Sequence, residues 1–384
     1  MFIKIANDIG NSETKMIIAD NLLKQPSVYK RLFKTPNVTE TNIDKAVANL
    51  QDEILVNITS KSLKRNGLFF VGNRANQTAD QIENMNINLG NKHRHDVPVV
   101  TTLSMIATWA VEENYKKNGK LPSSLDVTSV MTSAIPASEY TTDKARHLEN
   151  RFADYEHVVV VYVADELVTV TINFKGVKVT QEGVPALYAL LESNHDILDN
   201  YNNEYKNDAK PTDFQNKKIL HVDIGDGTTE YIYTVGLNPK PDVCSGERRG
   251  VGHATEQAVK MLNDSTDGFV RLNRQQFMYA LRDESHKQHE KAKDYMHEAR
   301  FSQAQKIIED VQEKYMNNAA SDVDVITVYG GGSIQFKDDL YDDLLGFCGT
   351  VGCELLWIPK KYAVNMNVRG MKILNEKVLF KDVK

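Results

Sequence analysis

No apolar run in this chain approaches the roughly 20 residues that a membrane-spanning helix needs, and no secretory leader follows Met1. Neither membrane insertion nor export is expected; a cytoplasmic protein starting at Met1 is. Cysteine is scarce. Cys244, Cys348 and Cys353 form no C-x-x-C pair, so buried reduced thiols are expected rather than a disulfide framework. An excess of positive charge is missing too. Lys and Arg number 46 against 52 Asp and Glu, and the net charge of −6 gives no bulk attraction to nucleic acid. Direct DNA binding is not expected. What is present is ordinary for a globular protein, at 41% hydrophobic and 26% charged, and 384 residues suffice for two or more domains with sizeable cores.

The most informative stretch is 219–233, where an apolar run breaks into Asp223-Ile224-Gly225-Asp226-Gly227-Thr228-Thr229 and then resumes. This reads as a β-hairpin whose turn carries an acid, two glycines and two hydroxyls. Glycines let backbone N–H groups approach an anion, and hydroxyls add donors. Asp223 would reach a phosphate only through an intervening cation. Alone, such a turn is an ordinary Asp-Gly hairpin. It is not alone: Asp8-Ile9-Gly10-Asn11-Ser12-Glu13-Thr14-Lys15 lies between two short apolar runs near the N-terminus. The repeat suggests two similar half-molecules facing one nucleotide.

After the first hairpin, Gln25-Pro26-Ser27-Val28 reads as an edge segment leading away from the core, and residues 37–94 as a small inserted lobe with a strand at 68–73. Leu103, Ile106, Ala107, Ala110 and Val111 have helical spacing. A buried strand at 127–131 leaves in extended form through Pro136. Residues 158–163 and 167–172 read as a strand pair, with 177–179 as a third strand. Pro185 suits the first turn of a helix carrying Leu187, Leu190 and Leu191, just after Glu182. Residues 194–218 read as a polar loop or linker. The glycine-rich turn Gly246–Gly252 leads into a helix bearing Ala254, Ala258, Met261 and Leu262. Residues 264–318 read as helical, with Ala304, Ile307, Ile308, Val311 and Tyr315 buried and His286, His289 and His297 on a solvated face. A strand at 325–329 runs into Gly330-Gly331-Gly332-Ser333, where close approach of another body would explain three costly glycines. A final helix begins near Asn367-Val368-Arg369-Gly370-Met371 and is expected to pack back on the first domain.

Five elements thus follow in one order: Asp-x-Gly hairpin with Lys15, Glu-x-x-Pro-Ala, second Asp-x-Gly hairpin, Gly-Gly-Gly-Ser, and Asn-x-Arg-Gly-Met. The set resembles the phosphate-one, connect-one, phosphate-two, adenosine and connect-two motifs of the actin, sugar-kinase and DnaK-type chaperone superfamily, across almost the whole chain. Within it, the chain is most similar to bacterial actin-like proteins of the ParM plasmid-segregation type. Glu182-Gly183-Val184-Pro185-Ala186 resembles their connect-one, with an acid where eukaryotic actin has glutamine. Thr132–Pro136 and Phe70-Val71-Gly72 resemble landmarks of the first actin-like domain, and no substrate-binding domain is appended.

The resemblance implies an α/β, actin-like fold: two related ribonuclease-H-like domains, each with a small inserted subdomain, and a nucleotide in the central cleft. Domain I would comprise residues 1–36, 97–193 and 355–384 with 37–96 inserted. Domain II would comprise 216–262 and 319–354 with 263–318 as a helical subdomain. Gly10, Asn11, Ser12 and Lys15 would bind phosphates, as would Gly225, Asp226, Gly227 and Thr228. Asp8 and Asp223 would hold Mg²⁺ largely through its waters. Glu182 would orient the attacking water, and Gly330, Gly331, Gly332 and Ser333 would back the nucleoside. The nucleotide would be ATP, with GTP left open because the turn at Gly246–Gly252 departs from eukaryotic actin. The implied partners are further copies of the chain in a filament and a DNA-binding adaptor on a plasmid centromere. The alternatives are a metabolite or sugar kinase, which would need an Asp facing an acceptor hydroxyl, and a chaperone-like or cell-division switch that does not polymerise.

Overall fold

Phe2–Ile9 (β1) is buried on both faces over its second half, as a strand inside a sheet is and an edge strand is not. A computed structural model, which describes residues 1–37, 40–78, 82–85 and 91–383, places it there. The chain divides into two compact units, Met1–Ala189 with Asn367–Lys384, and Leu190–Met366.

In the first unit β1 pairs with Glu13–Ile18 (β2), which pairs with Asn21–Pro26 (β3). The strands Val28–Leu32 (β4), Leu55–Thr59 (β5), Gly67–Val71 (β6), Glu83–Asn84 (β7), Ser124–Ile135 (β8), His157–Val163 (β9) and Glu166–Gln181 (β10) complete one sheet. Its order is β3-β2-β1-β8-β10-β9-β5-β6-β4-β7. β8 runs parallel to both β1 and β10, which explains its continuous burial from Ser129 to Ile135. The segments 167–172 and 177–179, expected as separate strands, are one strand. A bulge between Phe174 and Gly176 lets β10 continue along β8 after β9 has ended. The strands of the expected inserted lobe join the same sheet: β5 adds to β9, and β4 returns to pair with β6. Within that lobe, residues 38–39, 79–81 and 86–90 lie outside the described residues. The helix Val97–Asn118 is buried from Val97 to Val111, starts with Pro98 in its first turn, and stops at Gly119 in the left-handed region.

In the second unit, Lys218–Ile224 (β11) and Thr229–Val235 (β12) form the central hairpin. Asn238–Pro239 (β13) and Ser245–Glu247 (β14) pair with β12, while Val325–Tyr329 (β15) and Glu354–Trp357 (β16) extend the sheet in parallel beyond β11. The helices Val251–Asp264, Arg274–Arg282 and His289–Glu313 supply Ala254, Leu262, Phe277, Ile307 and Val311 to the core on this sheet. Two expectations need correction. Residues 194–218, read as a loop, contain the helix Asp199–Tyr205 and flanking 3₁₀ turns. Aromatic anchors hold them: Tyr201 and Phe214 are buried 5.6 Å apart, and Leu355 N–H donates to Tyr205 Oη at 2.7 Å. Residues 355–366, expected with the first domain, belong to the second unit, because β16 is hydrogen-bonded to β15.

The last helix, Met366–Ile373, does pack on the first unit. Val368 and Met371 join Ala6, Ile17 and Ala134, and the Asn375 amide donates to the Ile5 carbonyl at 3.0 Å. Among the described residues no helix is long and apolar enough to cross a membrane.

Candidate functional site

The two hairpins carry the same turn. In the first, Ile9 pairs with Thr14, and Gly10 N–H donates to the Glu13 carbonyl at 3.0 Å. In the second, Ile224 pairs with Thr229, and Gly225 N–H donates to the Thr228 carbonyl at 2.9 Å. A Cβ on Gly10 would lie 2.6 Å from the Glu13 oxygen, and one on Gly225 3.0 Å from the Thr228 oxygen. Closing this turn therefore selects glycine in both places. Two residues before each glycine sits an almost buried aspartate, Asp8 at 7% exposure and Asp223 at 8%. After each turn comes a fully buried threonine that braces it. Thr14 Oγ1 is 2.9 Å from Ser27 Oγ, and Thr229 Oγ1 donates to the Arg249 carbonyl at 3.1 Å.

Across the strands the hairpins differ. Asp8 is paired in register with Lys15, whose Nζ lies 3.6 Å from Oδ2. Asp223 is paired in register with Glu230, an opposition of like charges that a cation would relieve. The Glu230 carboxylate reaches over Gly246, where a Cβ would stand only 2.2 Å from Oε2.

The candidate phosphate groups are not equally accessible. Ser12 is exposed, and Gly10, Asn11 and Lys15 are half-buried. Ser27 pins this turn by donating its N–H to the Ser12 carbonyl at 2.9 Å and its hydroxyl to the Gly10 carbonyl at 2.6 Å. In the second turn Gly225, Asp226 and Thr228 are half-buried, while Gly227 is buried and its carbonyl accepts from His253 Nε2 at 2.9 Å. The Asp226 carboxylate is paired with Arg274 at 2.7 Å, and its carbonyl accepts Gly252 N–H at 2.8 Å. Asp226 thus ties the helical layer to the turn.

The run Gly330–Gly332 is held by this same turn. A Cβ on Gly330 (φ +90°) would lie 2.4 Å from the Ile224 carbonyl and 2.5 Å from Asp223 Oδ1. One on Gly332 would lie 2.5 Å from Ile224 Cγ2. The body that approaches these two glycines is the hairpin itself. Ser333, fully buried, donates its hydroxyl to the Gly330 carbonyl at 2.8 Å. Gly331 alone of the three is exposed, with nothing within 4 Å of a Cβ. Gly250 closes in from the other side, 2.4 Å from the Asp226 oxygen by the same measure. Two glycine-rich segments far apart in sequence, at Gly250–Gly252 and Gly330–Gly332, therefore converge on residues 224–226.

In the first unit Glu182 follows directly on β10, its N–H donating to the Ile135 carbonyl at 2.8 Å. Gly183 turns at φ +85° and donates to Asn367 Oδ1 at 3.2 Å, so the last helix fixes this corner. The Glu182 side chain is 14% exposed and forms an ion pair through Oε1 with Lys92, whose own side chain is 3% exposed. Burial raises the Glu182 pKa above the usual carboxylate range, and Asp8 and Glu139 add to the rise while Lys92 opposes it. Sequence reading missed Lys92, Asn367 and Arg274 as partners of the site. Asn367 stood inside the quoted Asn-x-Arg-Gly-Met run, but nothing local marks Lys92 or Arg274.

Residues 221–342 match the family model of archaeal actin homologues described as MreB-like, C-terminal. The structure is similar to the crystal structure of the actin-like protein Alp7A, with a TM-score of 0.69 and 16% identity over 98% of this chain and 96% of that one. It is similar to Ta0583, an archaeal actin homologue solved in complex with ADP, at 0.65 and 16% over 96% and 98%. It is similar to Bacillus thuringiensis ParM with ATP, at 0.60 and 13% over 97% and 98%. The chain is actin-like in its fold. No curated protein sequence matches it.

In this actin-like chain the donor chemistry fits a hydrated Mg²⁺. Asp8 and Asp223 offer hard carboxylate oxygens, each beside a turn with accessible residues, and Mg²⁺ keeps several waters when few carboxylates hold it. Among the described residues no group of three or more His, Cys, Asp and Glu side chains is placed to cage a metal directly.

Proposed function

We propose that this protein binds and hydrolyses a nucleoside triphosphate, ATP or GTP. The observation that carries the reading is the identical Asp-Ile-Gly turn, built once in each unit on an actin-like fold. Gly10, Asn11, Ser12 and Lys15 on the first turn, and Gly225, Asp226, Gly227 and Thr228 on the second, line the phosphates, with Lys15 supplying the side-chain positive charge. The backbone N–H groups of such turns are suited to anions. Gly331 is the member of its run best placed to lie against the nucleoside, while Gly330, Gly332 and Ser333 shape the surface around it. Asp8 and Asp223 would hold Mg²⁺, which would supply charge neutralisation at the phosphates. Glu182 accepts a hydrogen bond from the attacking water and orients it.

Nucleotide binding promotes assembly of the chain into filaments and hydrolysis weakens them, as in a ParM-type plasmid-segregation system working through a DNA-binding adaptor. The ParM and Alp7A likenesses support this reading, and the net charge of −6 fits a protein that leaves DNA contact to an adaptor.

Phosphate release by purified protein, without any added acceptor, tests the assignment. Glu182→Gln is expected to bind nucleotide as the parent does while turnover falls on the order of 10²-fold or more. Asp223→Asn is expected to lose Mg²⁺-dependent turnover. Parental turnover in either variant contradicts the role given to that residue, and release only with an added hydroxyl acceptor points to a kinase.

A further inference from the structure

Lys92 is the most deeply buried cation near the proposed site. Its ammonium pairs with Glu182 Oε1 and donates to the Ala134 carbonyl at 3.4 Å, while its backbone N–H donates to Glu139 Oε2 at 3.0 Å. A buried ammonium is costly unless a geometric partner compensates it, and a Met or Leu would fill the same volume without that cost. The charge therefore calls for a reason. The groups that face Glu182 supply one. Burial disfavours a carboxylate there, and Asp8 on β1 and Glu139, just after β8, add to it; Lys92 is the group that favours its ionised form. Lys92 takes Oε1, which leaves Oε2 to accept from a water.

We propose that Lys92 is a positioning residue for Glu182, holding its carboxylate ionised and in one orientation so that it can align the attacking water. This rests on the hydrolytic role given to Glu182 above. Lys92 acts through Glu182 and does not touch the nucleotide.

The experiment is a set of pH–turnover profiles for the parent chain, Lys92→Met, Lys92→Arg, Glu182→Gln and the Lys92→Met/Glu182→Gln double variant, with nucleotide affinity measured alongside. Lys92→Met is expected to keep nucleotide affinity and to move the acid limb of its profile upward by about one pH unit or more, as removal of an adjacent opposite charge does. Turnover lost near neutrality then returns at higher pH. Lys92→Arg keeps the charge and restores most of the parental profile. In the Glu182→Gln background, Lys92→Met costs no further turnover, and the double variant keeps the fold even where Lys92→Met alone strands a buried carboxylate.

An unshifted Lys92→Met profile overturns the proposal, as does an equal loss from Lys92→Met in both backgrounds, which would place the lysine on the nucleotide. Parental turnover in Glu182→Gln instead overturns the hydrolytic reading on which the proposal stands. The two failures are therefore distinguishable.

Discussion

The residues that brace the sheet carry their own consequences. His221 lies two residues before Asp223, is 1% exposed, and has its Nε2 3.2 Å from Thr234 Oγ1. Burial alone pushes its pKa from 6.5 down to about 3, so the native state holds it neutral. Below pH 6.5 the unfolded chain binds a proton that the folded chain does not, and stability falls as pH drops from 6.5 toward 3. Each pH unit in that window removes up to about 1.4 kcal/mol. His93 and His157 in the other unit are shifted in the same direction, so the comparison that isolates His221 is the pH dependence of the melting temperature in His221→Gln against the parent. A shallower acid limb in the variant is expected; identical slopes would show that His221 is protonated without penalty.

At this same scale the sequence was legible where a chain reversal or a helix start needs a residue type in a fixed local context. Asp8, Gly10, Asp223, Gly225 and Glu182 each stand in a short run whose glycine or proline marks a chain reversal or a helix start. Lys92 and Arg274 have no such marker. Each acts on a side chain far along the chain, Glu182 and Asp226, and only the folded backbone brings the pairs together.

Among the elements, the crossing of two helices sets the Glu182 corner. A Cβ added to Gly370 in the last helix would lie 1.7 Å from the Pro185 carbonyl, and Asn367, one turn earlier, accepts the Gly183 N–H. The contact is backbone on backbone, so no side chain can yield. Gly370→Ala is expected to cost about 1–3 kcal/mol through forced separation of the helices and to reduce turnover with it, because Glu182 moves with the corner. Gly346→Ala is the control. Gly346 is exposed in the helix Lys337–Val351 with nothing within 4 Å of its Cβ, and there alanine is expected to stabilise by up to about 1 kcal/mol. Thermal melts check both; equal effects from the two substitutions would mean that the crossing carries no strain.

Elements were legible when one period ran uninterrupted. The two hairpins, the buried helix Val97–Asn118 and the strand Val325–Tyr329 all did so. The strand β10 reads as two strands in the sequence because its bulge at Phe174–Gly176 shifts the alternation midway. The helix Asp199–Tyr205 was hidden by its Asn and Asp content, which favours turns; Tyr201 and Tyr205, four apart and packed beside β16, were the signal that outweighed it.

For the molecule as a whole, the decisive feature is duplication. Each unit has a mixed sheet whose hairpin presents aspartate, glycine and a buried threonine in one geometry, although the strands around the hairpins differ in number. Both units use the hairpin strand as a partner for a parallel strand, β8 in one and β15 in the other. The actin-like likeness covers both units, at identities of 13–16% among the structures compared. In the proposed function, nucleotide turnover on this fold drives a reversible assembly. Right-angle light scattering recorded together with phosphate release, after Mg²⁺-ATP or Mg²⁺-GTP is added to purified protein, tests it most directly. Scattering that rises on nucleotide addition and decays as phosphate accumulates is the predicted result. Scattering that stays flat with either nucleotide across a wide protein concentration range would contradict it.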